Sequence, residues 1–317
     1  MNRRTLLACA AAAAFVQPVA AREGAAQALT AIDAAGTAND TSGLIFYALD
    51  MGFYERAGLR VNLTSVSNSG VISAAIESGA IQIGSFAVSV GALARERGLP
   101  LQMIAPAGLY LSTTPTSGIV VNKESPIRRA ADLNGKTVAT RDLSNMSYFG
   151  ARAWIDKNGG DSKTVRWLEV PDASDVAALA AGRIDAASIS EPALDDAVNA
   201  GAARSLASPF DAIANRFLIS GYFTTEDYAR SHPDVVGHFA GAMANTAAWA
   251  NKNRARTAVI LEKYIKTPVL PGSARVTYAE QLAQSDVQPV LDLLYTYGFL
   301  KSPMNAKAMF SPLVPSR

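Results

Sequence analysis

Cysteine and histidine are nearly absent from this sequence: 317 residues contain one cysteine, Cys9, and two histidines, His232 and His238. A single cysteine forms no internal disulfide, and metal sites built from four cysteines, or from two cysteines and two histidines, are excluded. On one helix, six residues separate the two histidines by about 240° around the axis, so they do not make a metal pair. Neither a Gly-x-Ser-x-Gly elbow nor a Gly-x-Gly-x-x-Gly dinucleotide loop occurs. Gly135-Lys136-Thr137 imitates the end of a phosphate loop, but Ala130 stands where the upstream glycine is required. An excess of charge is lacking too. With 29 basic and 27 acidic residues scattered along the chain, and 8% aromatics that do not alternate with them, no nucleic-acid surface is expected. No apolar run approaches the ~20 residues that span a bilayer.

What the sequence does have is apolar bulk, 49% of its residues, which supports a large core and excludes overall disorder. The length favours two lobes or one large α/β domain, since single domains usually hold about 100–150 residues. The first 21 residues read as a secretory leader: Asn2-Arg3-Arg4, an apolar Ala/Leu stretch over 6–16, and the small-residue end Val19-Ala20-Ala21. The Arg3-Arg4 pair also resembles a twin-arginine signal. Cleavage after Ala21 removes Cys9, Arg3 and Arg4, leaving 27 basic against 27 acidic residues. The chain is expected to be exported, without lipidation, because only about four apolar residues precede Cys9.

Beyond the leader, short apolar runs alternate with amphipathic helical stretches, the pattern of a mostly parallel α/β sheet. Strands are expected over 28–33, 59–64, 81–83, 101–105, 119–121, 137–140, 165–170, 184–189 and, as one long run, 217–223. Helices are expected over 44–54, 71–77, 148–158 and 177–181, with a short capped one from Ser125-Pro126 to Asn134-Gly135. Beyond 223 the pattern is helical, including a stripe of Val235, Phe239, Met243 and Ala250. One internal echo stands out. Residues 73–85 align without gaps to 176–188: in each copy a helix ends at glycine, Gly79 or Gly182, a strand follows, and a serine, Ser85 or Ser188, stands towards its carboxyl end. Open α/β sheets bind ligands at that end.

Binding chemistry is better represented than catalytic chemistry. Ser67-Asn68-Ser69-Gly70, Ser85 to Ser89 and Leu143-Ser144-Asn145 each precede a helical stretch, where free N–H groups suit an anionic or strongly polar group. Glu191-Pro192 follows the strand end Ser188-Ile189-Ser190 and is the carboxylate best placed for a cleft. Asp172 with Asp175, and Glu226-Asp227, read as helix starts. Tyr47, Phe86, Tyr110, Tyr148 and Tyr222 are candidate apolar walls.

Several segments together resemble a known family. Gly52-Phe53-Tyr54-Glu55-Arg56-Ala57-Gly58-Leu59, Ser78-Gly79-Ala80-Ile81, Gly98-Leu99-Pro100-Leu101, Ser125-Pro126-Ile127 with Ala131-Asp132-Leu133-Asn134-Gly135-Lys136, Ala181-Gly182-Arg183-Ile184-Asp185-Ala186, Glu191-Pro192 and His232-Pro233-Asp234 occur in the order and spacing of the nitrate/sulfonate/taurine-type solute-binding proteins of ABC importers. The resemblance covers roughly residues 30–255. It implies a type II periplasmic-binding-protein fold: two Rossmann-like α/β lobes joined by a two-strand hinge. Residues 22–116 with 219–317 would form one lobe and 117–218 the other. The chain would be a monomeric binding protein, not an enzyme, needing no cofactor or metal and delivering its solute to a permease and an ATPase.

Carried onto this sequence, the family's ligand contacts fall at Asn39, Asp40, Thr41 and Ser42; Ser67, Asn68 and Ser69; Ser85, Phe86 and Ala87; Ser144 and Asn145; and Ser188, Ser190 and Glu191, to which residue type adds Tyr110 as a candidate wall. Arg141, just beyond a strand end, is placed to pair with an acidic group. Where many members carry Gly-Ser, this chain has Leu143-Ser144. The added bulk points to an organic sulfonate or carboxylate rather than bare nitrate. Two alternatives share the fold: thiamine-pyrimidine synthases, which need a reactive histidine and a cysteine-rich motif, and a ligand-loaded partner of a membrane sensor.

Overall fold

The computed structural model describes residues 28–66 and 68–317, with backbone only at 172 and 173. The expected leader, Cys9 and Ser67 lie outside the described residues. From the start of the described chain, β1 (Thr30–Gly36), β2 (Leu59–Ser65), β3 (Ile83–Ala87) and β4 (Leu101–Pro106) enter one sheet, and β5 (Gly108–Leu111) a small separate one. β6 (Ser117–Asn122), β7 (Thr137–Thr140), β8 (Arg166–Glu169), β9 (Ala186–Ser190) and β10 (Ala203–Ala207) form the second large sheet. β11 (Arg216–Leu218) and β13 (Thr277–Tyr278) flank β5, while β12 (Ser220–Thr225) returns to the first sheet.

The two large sheets share one plan. The first runs β2-β1-β3-β12-β4 and the second β8-β7-β9-β6-β10. In each, the first three strands are parallel and the fourth is antiparallel to its neighbours. The sequence echo falls on equivalent units: helix Ser69–Glu77 leads to β3 and helix Asp172–Ala180 to β9. Gly79 and Gly182 both stand at positive φ, 75° and 66°, the left-handed exit that lets each chain turn from helix into strand.

Several segments depart from expectation. The 44–54 stretch is two helices, Leu44–Asp50 and Phe53–Arg56, because Gly52 is left-handed at φ 68° and breaks the turn between them. The 217–223 run divides between two sheets. At Ile219 the N–H reaches the Gly108 carbonyl while the carbonyl takes the Val88 N–H, so the strand changes partner there. Between Ser125 and Asn134 only the 3-10 turn Ala130–Leu133 forms. The helical stripe holds: Val235, Phe239, Met243 and Ala250 are buried on helix Pro233–Lys252. Among the described residues no helix is long and apolar enough to cross a membrane.

One buried ion pair ties the first sheet to the small one. Arg275, before β13, approaches Asp40 at 2.6 Å, and both side chains are buried. Asp40 also accepts the Val276 N–H at 2.8 Å, and the Tyr278 hydroxyl donates to the Asp40 carbonyl at 2.7 Å. Removing one partner strands the other's charge in the interior, whereas removing both does not. Asp40→Ala should therefore lose about 3–5 kcal/mol in urea unfolding, and Asp40→Ala with Arg275→Met should recover part of it. A double variant no more stable than the single one would show that stranded charge is not the cause.

Candidate functional site

Because β1, β3, β7 and β9 end on the same cleft, the loops leaving them form its walls. β1 leads to Thr37 and the turn Asp40–Ser42, β3 to helix Val88–Glu96, β7 to Arg141 and helix Met146–Lys157, and β9 to Glu191. The cleft has two compartments. An inner pocket of about 60 Å³ is walled by Thr41, Ser42, Phe86, Ala87, Asn145, Met146 and Ser147, closed towards the small sheet by Phe210, Ile219 and Ser220. An outer one of about 1000 Å³ is bounded by Val66, Asn68, Pro171, Val176, Ala193, Tyr264 and Ile265. Thr37, Asn39, Arg141, Ser190 and Glu191 line both, forming a neck to which both large sheets contribute. A separate groove of about 590 Å³ lies between helices Phe53–Arg56 and Pro233–Lys252, away from these strand ends. It contains His238, while His232 stacks on Tyr228.

Local capping explains how the polar groups are held. Asn39 caps the turn Asp40–Ser42, its Oδ1 accepting from the Ser42 N–H and the Thr41 hydroxyl, both at 2.9 Å. Asn145 caps helix Met146–Lys157 through the Tyr148 N–H at 2.9 Å, and Asn68 caps helix Ser69–Glu77. Helix Val88–Glu96 starts at Ala87 with no side-chain cap. The Val88 N–H is taken by the Ile219 carbonyl at 2.9 Å, and the N–H groups that follow it, beside the inner pocket, have no side-chain cap and favour an acceptor that a ligand supplies.

Other candidates lie behind the wall. Ser85 and Ser188, the echo serines, are fully buried and donate to the Ser42 hydroxyl (3.1 Å) and the Ser147 carbonyl (2.9 Å). Each fastens the element that carries the neighbouring wall of its own lobe. Asp40 faces Arg275, and Tyr110 is buried with its hydroxyl 2.6 Å from Asp211. Ser144 lines neither compartment; its carbonyl accepts from Ser89 at 2.6 Å, joining the two walls across the cleft. Leu143 is 42% exposed and also lines neither compartment, so its bulk does not enter the site and carries no argument about ligand size. Asn39, Thr41, Ser42, Asn68, Ser69, Phe86, Ala87, Arg141, Asn145, Ser190 and Glu191 do line the cleft. Among the aromatic candidates, Tyr47 and Tyr222 are core residues. Thr37, Ser147 and Ser220 were not anticipated. For Thr37 the available signal was strand-end logic, and β1 runs three residues farther than the 28–33 expectation.

Among the described residues, Arg141 is the one cation lining either compartment, against Asp142, Glu191 and Asp196. Burial, with Asp195 and Asp196 nearby, pushes the Glu191 carboxyl up to about 8, although the Asp195 N–H opposes the shift. Near neutral pH this side chain is mostly uncharged and donates as well as accepts. Its folded pKa lies above the unfolded value near ~4.3, so the folded state holds the extra proton and stability declines as pH rises between the two. The melting temperature should fall more steeply from pH 5 to 8 in the native chain than in Glu191→Gln. Parallel profiles would contradict the shift.

Comparison with the curated proteins gives no match. Among solved structures, the chain resembles the alkanesulfonate-binding protein SsuA from Xanthomonas axonopodis pv. citri bound to MOPS, at 20% identity and TM-score 0.72, covering 91% of this chain and 99% of that one. It also resembles the periplasmic nitrate-binding protein NrtA from Synechocystis PCC 6803, at 16% identity and TM-score 0.75, covering 88% and 84%. The desulfurization enzyme DSZB shares the fold at 14% identity and TM-score 0.67, covering 89% and 96%. The architecture is the periplasmic-binding-protein fold. Residues 39–256 match the family model described as NMT1/THI5 like, and the chain belongs to that family.

Proposed function

We propose that this protein is the periplasmic solute-binding component of an ABC importer, closing its two lobes on a small organic sulfonate or carboxylate and delivering it to a membrane permease. The observation that carries this reading is the neck, where Thr37 and Asn39 from one lobe face Arg141, Ser190 and Glu191 from the other. A solute held there touches both lobes, and hinge closure follows from that double contact. Residues 22–116 with 219–317 are one lobe of this proposal and 117–218 the other, pivoting where the chain crosses after β5 and after β11. The uncapped helix at Ala87 and the Arg141 guanidinium supply the local positive field that the balanced chain lacks as a whole. An uncharged Glu191 spares an anion a like-charge neighbour.

A second reading, an enzyme on this fold, has the DSZB likeness and the family itself in its favour. A pyridoxal-dependent synthase needs a histidine in its site, and here His232 and His238 both lie away from the cleft. Absorbance near the pyridoxal band in purified protein would favour the enzyme.

The binding reading is tested by thermal shift with sulfonates, aromatic carboxylates, nitrate and pyrimidines. At least one organic acid should raise the melting temperature in a concentration-dependent way, by mass action. Arg141→Ala should reduce that shift, measured against the ligand-free transition of the same variant. No shift with any compound would contradict the reading.

A further inference from the structure

The two compartments differ in size and in lining, and both features bear on what fits. The inner pocket, about 60 Å³, holds a few waters' worth of volume, enough for an acidic head group and little more. The outer compartment, about 1000 Å³, is at the upper end of small-molecule sites. Its walls are largely apolar and come from both lobes: Val66, Tyr264 and Ile265 on one side, Pro171, Val176 and Ala193 on the other. A bare oxyanion would occupy the inner pocket and leave these walls facing water. A solute with a bulky carbon body would cover apolar surface of both lobes at once.

The hydroxyls around the neck are mostly engaged within the protein. Thr41 donates to Asn39, Ser42 accepts from Ser85, Ser190 pairs with Ser147, and Ser220 donates to the Thr41 carbonyl. Thr37 differs. It is 8% exposed, it lines both compartments, and its Oγ1 has no hydrogen-bond partner. An unsatisfied buried hydroxyl is costly, and a polar atom of a solute passing through the neck relieves that cost.

We infer that the solute spans both compartments, with its acidic group in the inner pocket and a bulky, mainly apolar body in the outer one, and that Thr37 Oγ1 hydrogen-bonds it at the neck. This rests on the binding function proposed above and specifies the class of acid. Leu143, turned to solvent, plays no part.

Calorimetric titration of the purified chain with methanesulfonate, taurine, benzenesulfonate and naphthalene-2-sulfonate, and with acetate, benzoate and 2-naphthoate, tests both elements. Affinity should rise at least ~10-fold from the smallest to the largest member of one series, a ~1.4 kcal/mol difference. Thr37→Val keeps the shape and removes the hydroxyl, and should weaken the tightest member roughly 10-fold, as expected for loss of a buried hydrogen bond. Thr37→Ser should keep the affinity, and the same comparison of Thr37→Ser with Thr37→Ala serves if the valine variant does not fold. Equal affinity across a series that does bind would overturn the two-compartment solute while leaving the binding function standing. Unchanged affinity in the hydroxyl-free variants would remove Thr37 from recognition. Binding by no member of either series would overturn both the class of acid and the binding function on which it rests.

Discussion

The buried Asp40–Arg275 pair sets the position of the turn from which one cleft wall is made. Arg275 reaches Asp40 from the segment entering β13, remote from Asp40 along the chain, and its guanidinium also donates to the Tyr47 hydroxyl at 2.9 Å. Asn39, Thr41 and Ser42 line the cleft because Asp40 between them is turned inward and held. The first sheet's wall is therefore anchored to the small sheet. On the other lobe the corresponding fastening is lighter: Ser188 donates to the Ser147 carbonyl, and Asn145 caps the helix behind it.

The electrostatics of the cleft follow from scarcity. The chain beyond its expected leader has no net charge to attract an anion, so selectivity is a matter of where individual donors stand. One guanidinium, one uncapped helix start and a carboxyl kept protonated by burial are the means available. Asp142 does not act as a bare anion in the pocket, since its Oδ1 is taken up by the Ser144 N–H and hydroxyl at 2.9 and 2.7 Å. These features also set the cleft apart from the 590 Å³ groove near His238, which one lobe forms alone.

Much of the architecture was legible because its signals are local. The helix–glycine–strand echo at 73–85 and 176–188 depends on left-handed glycines and a change of hydrophobic period, both visible in sequence, and it falls on equivalent strands of matching sheets. What was not legible depends on tertiary partners. The 217–223 run looks like one strand until Ile219 exchanges one neighbour for another. Asp40 reads as a polar loop residue until Arg275, remote in sequence, claims it. Leu143 reads as bulk in the pocket because the direction of a loop side chain cannot be taken from spacing. Thr37 does not stand out in the sequence, since β1 continues past its last clearly alternating residue.

Native mass spectrometry of protein taken from its own cells under gentle conditions tests most directly whether the cleft holds a small acid non-covalently. The expected result is a complex heavier than the free chain by the mass of one organic acid, lost on mild activation and restored by adding that acid. A covalent adduct of pyridoxal mass, or conversion of the added acid into a different product, would contradict it.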